Sequence, residues 1–444
     1  MNVQLTPDAA ADTLEEAYLY AYPLVLMDVI REMTTNTETP TTERAPLGRF
    51  FHSRALATPA IDSLTRPNAD TLYTQAYLDL GDEPYLLHKP AAQRYLAIQP
   101  FDGYSNNPSI LGTGGLGGDD EAVYAFTGPR FAGALPEGVL PVPMPTDFVW
   151  LLARVRCHGP DDTAEPHRLQ DAMDLYPLSQ HGRAHERPRG TYSPTRDYVP
   201  LERMRTMGAE EYFRRFNALA VRNPGTGADA PALERFAPLA VGAGLEFSLD
   251  ALPEAARLRA KELPLFMESA EVRDNRRITV IDGWTYLDDT VGRFGTDYLY
   301  RAVIAYMGFA NPVDVTAYPS IFTDADGAPL TGEHSYVMHF PAGQLPPYHG
   351  GGWWSLTPYT QVGRLIANEL DRYALDDSMP LAVNPDGSLD LWLSADAPGD
   401  DRLANWLPVC REGFGLTLRI YLPHSTVTTH EWTPPQVRRT DSSQ

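Results

Sequence analysis

The chain has 444 residues, long enough for two or three packed modules, and its 43% hydrophobic and 10% aromatic content argues against disorder away from the ends. Acidic residues number 58 against 36 basic, a formal charge of −22. Such a surface repels phosphate backbones and anionic headgroups, so neither nucleic acid nor a membrane is expected as a partner. Two cysteines, Cys157 and Cys410, are too few for a disulfide framework and fit a reduced compartment.

The first residues, MNVQLTPDAAADTLEEAY, carry no basic and then apolar run of the secretory kind, which predicts a cytoplasmic protein. Thr6-Pro7-Asp8 is a helix start: a capping hydroxyl, a proline in the first turn and an acid at the positive helix end. Leu14, Ala17, Tyr18, Ala21 and Tyr22 make one apolar face. Pro23 is expected to kink this helix without ending it, because LVLMDVIREM resumes the period. The apolar part near 19–29 is too short to span a bilayer.

RPNADTLYTQAYLDL (66–80) reads as a turn followed by a strand. Leu72, Thr74, Ala76 and Leu78 alternate with Tyr73, Gln75, Tyr77 and Asp79. Asn68 and Asp70 either fix the turn through their own backbone or, with Tyr73, face a cavity. RYLAIQPF and AVYAFTGP are further strands around SILGTGGLGGDDE. Gly112-x-Gly114-x-x-Gly117 imitates a dinucleotide fingerprint, but acids and a strand follow it instead of a helix, so it reads as a plain glycine loop. FVWLLARVRCH (148–158) is a buried strand, and 160–200 reads as irregular. Helices are predicted over 209–221, 230–241, 252–273 and within 284–309. The Tyr-rich faces of these helices raise the expectation of a homo-oligomer.

SYVMHF, SLDLWLS and LTLRIYL each alternate in period two, as strands with one buried face do. Asp386-Gly387 marks a hairpin turn, and a helix is predicted over roughly 359–373 from Val362, Leu365, Ile366 and Leu370. Thr323-Asp324-Ala325-Asp326-Gly327 lacks the later ligands of a calcium loop and reads as a turn. The expected fold class is α+β and multi-module: a helical segment over 1–45, a β-rich domain over 46–200, a helical region over 201–315 and a jelly-roll-like β-sandwich over 316–444.

Three runs in the first half, RPNADTLYTQAYLDL, PYLLHKP and FDGYSNN, are followed by a second set: LPP, WWSLT, DGSL, NWLP and F-x-L-x-LR-x-Y. In that order they resemble a bacterial family that joins domain of unknown function 1254 to domain of unknown function 1214. The resemblance covers about 17–437, implies α+β architecture with jelly-roll elements, and brings no established reaction. It marks Asn68, Asp70, Thr71 and Tyr73 as signature positions of the first half. His339, Trp353, Tyr359, Arg372 and Tyr373 fall in the second signature, and Tyr104 lies in FDGYSNN. The chain departs from the family in YHGGG (348–352), Thr360, Cys410 and Glu412. These changes surround one expected pocket wall.

The sequence carries no G-x-S-x-G elbow, no H-E-x-x-H, no paired C-x-x-C and no phosphate loop. No cofactor is predicted. A metal would require His349 to fold back toward His334 and His339, which alternate to opposite strand faces. Two functions stay open. One is a cofactor-independent enzyme, a lyase, isomerase or hydrolase, with His339, Asp70, Tyr73 and Tyr373 moving protons. In it Asn68, Trp353, Tyr359, Arg372 and Tyr104 hold the substrate. The other is a non-catalytic binding protein for a sugar or small polar-aromatic ligand. In both, the two signatures are expected to face each other across one cleft between β modules. His339 could instead be a hydrogen-bonded core residue, and Arg372 could instead bond loop carbonyls.

Overall fold

Thr6 caps the first helix as its sequence predicts: its hydroxyl accepts the Ala9 N–H at 3.3 Å, and Pro7–Thr34 runs as one 28-residue helix with Pro23 inside it. The computed structural model describes residues 6–61, 65–269, 272 and 277–440. Shorter helices at Pro200–Thr206, Ala209–Ala220, Ala230–Phe236, Glu254–Ala260 and Tyr298–Tyr306 pack around the first one. Tyr18, Tyr20, Tyr22, Tyr212 and Tyr298 point into this bundle. The aromatic faces from which an oligomer was expected are therefore occupied within the chain. Of the predicted 252–273 helix, the part to Ala260 is helical and Leu263–Glu268 is a 3-10 turn. Residues 270, 271 and 273 lie outside the described set.

Strands between 51 and 177 form two sheets. The larger orders Phe51–His52, Thr71–Asp79, Phe148–Arg156, Leu96–Asp102, Leu111–Gly112 and Leu116–Gly117. The smaller orders Asp174–Pro177, Tyr85–Lys89, Ala122–Thr127 and Leu140–Pro143. One face of each meets in a shared core that includes Ala76, Leu78, Ile98, Leu151 and Val155 from one sheet and Leu87, Phe126 and Val142 from the other. The region 160–200 is more ordered than its composition implies, since Ala164–Ala172 is a helix and Asp174–Pro177 completes the smaller sheet.

A second pair of sheets forms the C-terminal part. Phe414–Pro423 and Tyr348–Thr360 pair along nearly their whole length at the centre of a seven-stranded sheet. Ser335–Phe340 lies between Leu389–Ser394 and Val437–Thr440 in a four-stranded one. Tyr336, Met338, Phe340, Leu391 and Leu393 from the small sheet meet Trp354, Leu356, Leu416, Leu418 and Ile420 from the large one. The alternation read from the sequence is thus the alternation of burial.

Within 284–309 the helix is confined to Tyr298–Tyr306, and the helix expected over roughly 359–373 is absent. Trp284–Leu287 is a strand paired with Ile278–Ile281. Asp282 and Gly283, at φ 49° and 82°, supply the two left-handed residues of a tight hairpin. Residues 361–374 form a loop. It begins with a turn in which Gly363 N–H donates to Thr360 O, and Asn368 Oδ1 accepts the N–H groups of Leu370 and Arg372. Val362 is 71% exposed and Leu370 50%, while Leu365 and Ile366 are buried, so the four do not share one face.

His52 borders the first sandwich, its Nδ1 2.9 Å from Thr74 Oγ1. Burial, reinforced by the nearby Arg54 charge, pushes this imidazole down to about 4. The folded state then resists protonation that the unfolded chain accepts near 6.5. Stability is expected to be full above that pH and to fall by about 2 kcal/mol as pH drops toward 4. Urea midpoints across this window test it: His52→Gln should lose less stability than the parent, and equal losses would contradict it.

Candidate functional site

The larger sheet of the first sandwich turns its outer face toward two neighbours. At one end Tyr77, Phe101, Trp150 and Leu152 pack on Met27 of the first helix and on Phe309. At the other, Tyr95 and Ala97 pack on Trp353, Tyr421 and Leu422 of the second sandwich. The facing strands obey the same alternation: with Trp354, Leu356, Leu418 and Ile420 turned into the sandwich core, Trp353, Ser355, Thr357, Tyr359, Arg419 and Tyr421 point outward onto the first sandwich.

Asp70, 4% exposed, is where the two sandwiches are tied. Ser355 Oγ donates to its Oδ2 at 2.5 Å and Trp353 Nε1 at 3.2 Å, while the Tyr421 hydroxyl donates to Oδ1 at 3.3 Å. Asn68 does both things its sequence context allowed. Its Oδ1 accepts the Asp70 N–H at 2.7 Å, fixing the turn, and its Nδ2 donates across the interface to the Tyr421 hydroxyl. Trp353 and Tyr421 stack with centroids 3.6 Å apart, and Tyr95 meets Trp353 edge-on at 4.8 Å. Tyr359 donates to Pro67 O at 2.7 Å, and Arg419 lies over the Tyr359 ring while donating to Arg66 O. Burial works against the Arg419 charge, but Tyr359, Tyr421 and Asp70 outweigh it and hold the group above its usual range.

Beside this tie lies Arg154, 8% exposed. It donates through Nη1 to Gln99 Oε1 and to Asn311 Oδ1, and its guanidinium sits 5.4 Å from the Tyr73 ring centroid. No carboxylate pairs with it among the described residues. Burial disfavours its charge, but a guanidinium is too strong a base to lose its proton here, so it stays cationic. Burial also raises the Tyr95, Tyr318 and Tyr421 phenols, which remain protonated donors. Three buried polar atoms on the same sheet face have no partner: Thr71 Oγ1, Tyr95 OH and Gln99 Nε2. Unsatisfied buried groups are rare, and those of Tyr95 and Gln99 lie beside this cation.

The remaining predicted residues lie elsewhere. Tyr104 belongs to the helical side: its hydroxyl donates to Asn223 O, and its ring, with those of Tyr20 and Tyr298, stands 5.1 Å from the Arg301 guanidinium. Arg372 donates to Leu403 O and Trp406 O at 2.8 Å, which is the loop-bonding alternative. Tyr373 donates to Asp371 Oδ1 at 2.6 Å on the same loop. His339 neither fills the core nor joins Asp70. It points outward from the small sheet, with its side chain 50% exposed. Asp70 lies beyond the outer face of the large sheet, and sheets pack about 10 Å apart, so the whole second sandwich separates the two groups. Where one cleft was expected to hold both signatures, the packed interface between the sandwiches gathers Asn68, Asp70, Tyr73, Trp353 and Tyr359, but not His339, Arg372, Tyr373 or Tyr104. Among the described residues no cluster of three or more His, Cys, Asp or Glu is placed to hold a metal ion.

Arg154, Gln99, Tyr95, Tyr318, Asn311 and Ser355 were not among the predicted site residues. A signal did exist in FVWLLARVRCH: Arg154 and Arg156 recur at period two within an apolar strand, which marks a second buried face that carries charge.

Two β-sandwiches and a helical bundle meeting at a buried polar layer define an α+β protein with its candidate site between modules. Residues 47–177 match Protein of unknown function (DUF1254) and residues 315–425 match Protein of unknown function (DUF1214). The chain belongs to the family that combines these two domains. The crystal structure of the VPA0106 protein from Vibrio parahaemolyticus is similar, with TM-score 0.69 at 20% identity over 97% of this chain and 100% of that one, a likeness of fold. A putative uncharacterized protein from Burkholderia cenocepacia aligns at TM-score 0.45 and 14% identity, covering 97% of this chain and 94% of that one. No curated protein matches the chain.

Asp70→Asn places an amide N–H₂ or a weaker acceptor where three donors converge, and removes the anion beside Arg419. A loss of about 3–5 kcal/mol in urea unfolding is expected. A change below about 0.5 kcal/mol would show that the carboxylate does not hold the sandwiches together.

Proposed function

We propose that this chain binds a small organic molecule bearing an oxyanion, a carboxylate being the simplest, in the polar layer around Arg154. The observation that carries this reading is a buried guanidinium with no carboxylate partner among the described residues, set beside unpartnered polar atoms of Tyr95 and Gln99. Burying a charge is costly unless it is paired, and these groups offer an anion several donors at once. The rings of Tyr73, Tyr95 and Tyr318 beside it suit a ligand with an apolar body.

The cofactor-independent enzyme is the second reading, and Tyr73 favours it. Its half-buried phenol lies beside Arg154 in a layer of fixed donors, the arrangement that stabilises negative charge developing on an oxygen. In that reading Asp70 is a positioning residue, since three donors already engage its carboxylate. The jelly-roll-like strand order, cytoplasmic residence and self-association expected from the sequence belong to the setting of this proposal and not to its support. Among the described residues no helix is long and apolar enough to cross a membrane.

Benzoate and its neutral isostere benzamide are suitable probes, followed by calorimetry. The parent should prefer benzoate, and Arg154→Gln should weaken it about tenfold or more while leaving thermal stability equal or higher, because an unpaired buried charge is removed. A large stability loss in Arg154→Gln, with benzoate binding unchanged in the folded variant, would return Arg154 to a structural role. If the parent binds benzoate and benzamide equally, the anion reading fails.

A further inference from the structure

The outer face of the small C-terminal sheet carries a second arrangement, remote from the Arg154 layer. His339 and Asp390 are directly opposed across adjacent strands, and His339 Nδ1 lies 2.6 Å from Asp390 Oδ1. Asn384 Nδ2 donates to the other carboxylate oxygen at 2.9 Å. The carboxylate can only accept, so Nδ1 carries the hydrogen, and in the uncharged imidazole Nε2 is left as a lone-pair acceptor. The histidine lines a depression of about 470 Å³, within the range of small-molecule pockets.

The walls of this depression are held in place. One is the turn beginning at Pro341, where Gln344 N–H donates to Pro341 O; the other is the segment running through Thr433, Pro435 and Gln436. Trp432 Nε1 donates to Gln344 O and pins the two walls together, and Trp284 Nε1 donates to Pro435 O and pins the second to the sandwich. Arg438 closes the floor beside His339. Its neighbour Arg439 pairs with the buried Asp324, whereas Arg438 has no ion pair among the described residues. Asp386, also near the ring, directs its carboxylate to Ser388.

We infer that this depression is a second small-molecule site, and that it takes a polyhydroxylated carboxylate of the sugar-acid class. His339 Nε2 accepts a ligand hydroxyl, the Gln344 and Gln436 amides and the Thr433 hydroxyl give mixed donors and acceptors for further hydroxyls, and Arg438 pairs with the carboxylate. An orienting Asp390 held by Asn384 keeps the ring in the one tautomer that leaves the acceptor in the pocket.

Calorimetric titration of the full chain with gluconate tests this, with sorbitol lacking the charge and hexanoate lacking the hydroxyls. Gluconate should bind more tightly than either, and His339→Ala and Arg438→Gln should each weaken it about tenfold or more. Both positions are on the surface, so thermal unfolding should be unchanged, and Arg154→Gln should leave gluconate binding as it is. The inference is overturned if hexanoate binds as well as gluconate, if gluconate does not bind, or if neither His339→Ala nor Arg438→Gln weakens it. Loss of gluconate binding in Arg154→Gln alone would place that ligand in the layer between the sandwiches, against this inference and in favour of the other site.

Discussion

A buried carboxylate must be met by hydrogen-bond donors, and Asp70 finds all of its side-chain donors in the other sandwich. Trp353, Ser355 and Tyr421 lie 283 to 351 residues away along the chain. Neither sandwich alone can satisfy that group: the first would bury or expose a bare anion, and the second would leave an indole, a hydroxyl and a phenol without an acceptor. This mutual need explains why the two matched domains occur in one polypeptide here. It also explains why Asn68, Asp70, Trp353 and Tyr359 sit at the surfaces that meet, and not within either sandwich core.

Arg154 stands in contrast to Asp70. The same interface that neutralises one buried charge leaves the other without a counterion, although the chain as a whole carries an excess of acid. The groups around Arg154 come from three places: Tyr73, Tyr95 and Gln99 from the first sandwich, Asn311 from the segment leaving the last helix of the bundle, and Tyr318 and Tyr421 from the second sandwich. Sites of this kind, at the meeting of independently built units, gain precision from rigid sheets on either side.

Much of this architecture is legible in the sequence wherever one face of a strand is apolar and the other is not. Thr71–Asp79, Ser335–Phe340, Leu389–Ser394 and Phe414–Pro423 all follow from period two. The loop over 361–374 reads as a helix because Val362, Leu365, Ile366 and Leu370 happen to fall at helical spacing, while the turn that opens it is set by backbone hydrogen bonds at Thr360 and Gly363. The hairpin at Trp284 is obscured by strands of four residues each, too short to show a period. At the site, Asn68, Asp70 and Trp353 are legible as polar and aromatic groups in excess of what a core needs. His339 is legible as a chemical group but not in its placement, since alternation gives the face of a strand without saying which neighbour covers that face.

The central strand Phe148–Arg156 is enclosed on both sides, with Val149, Leu151, Ala153 and Val155 in one core and Trp150, Leu152 and Arg154 against the helical bundle and the second sandwich. A slip of a single residue exchanges the two faces of a strand, and here it would drive the Arg154 guanidinium between the sheets of the first sandwich and present Ala153 or Val155 to the phenols. The arginine thus acts as an alignment mark: its charge makes the wrong register more costly than hydrophobic mismatch alone, and the strand pairs in the one register that the second sandwich can dock onto.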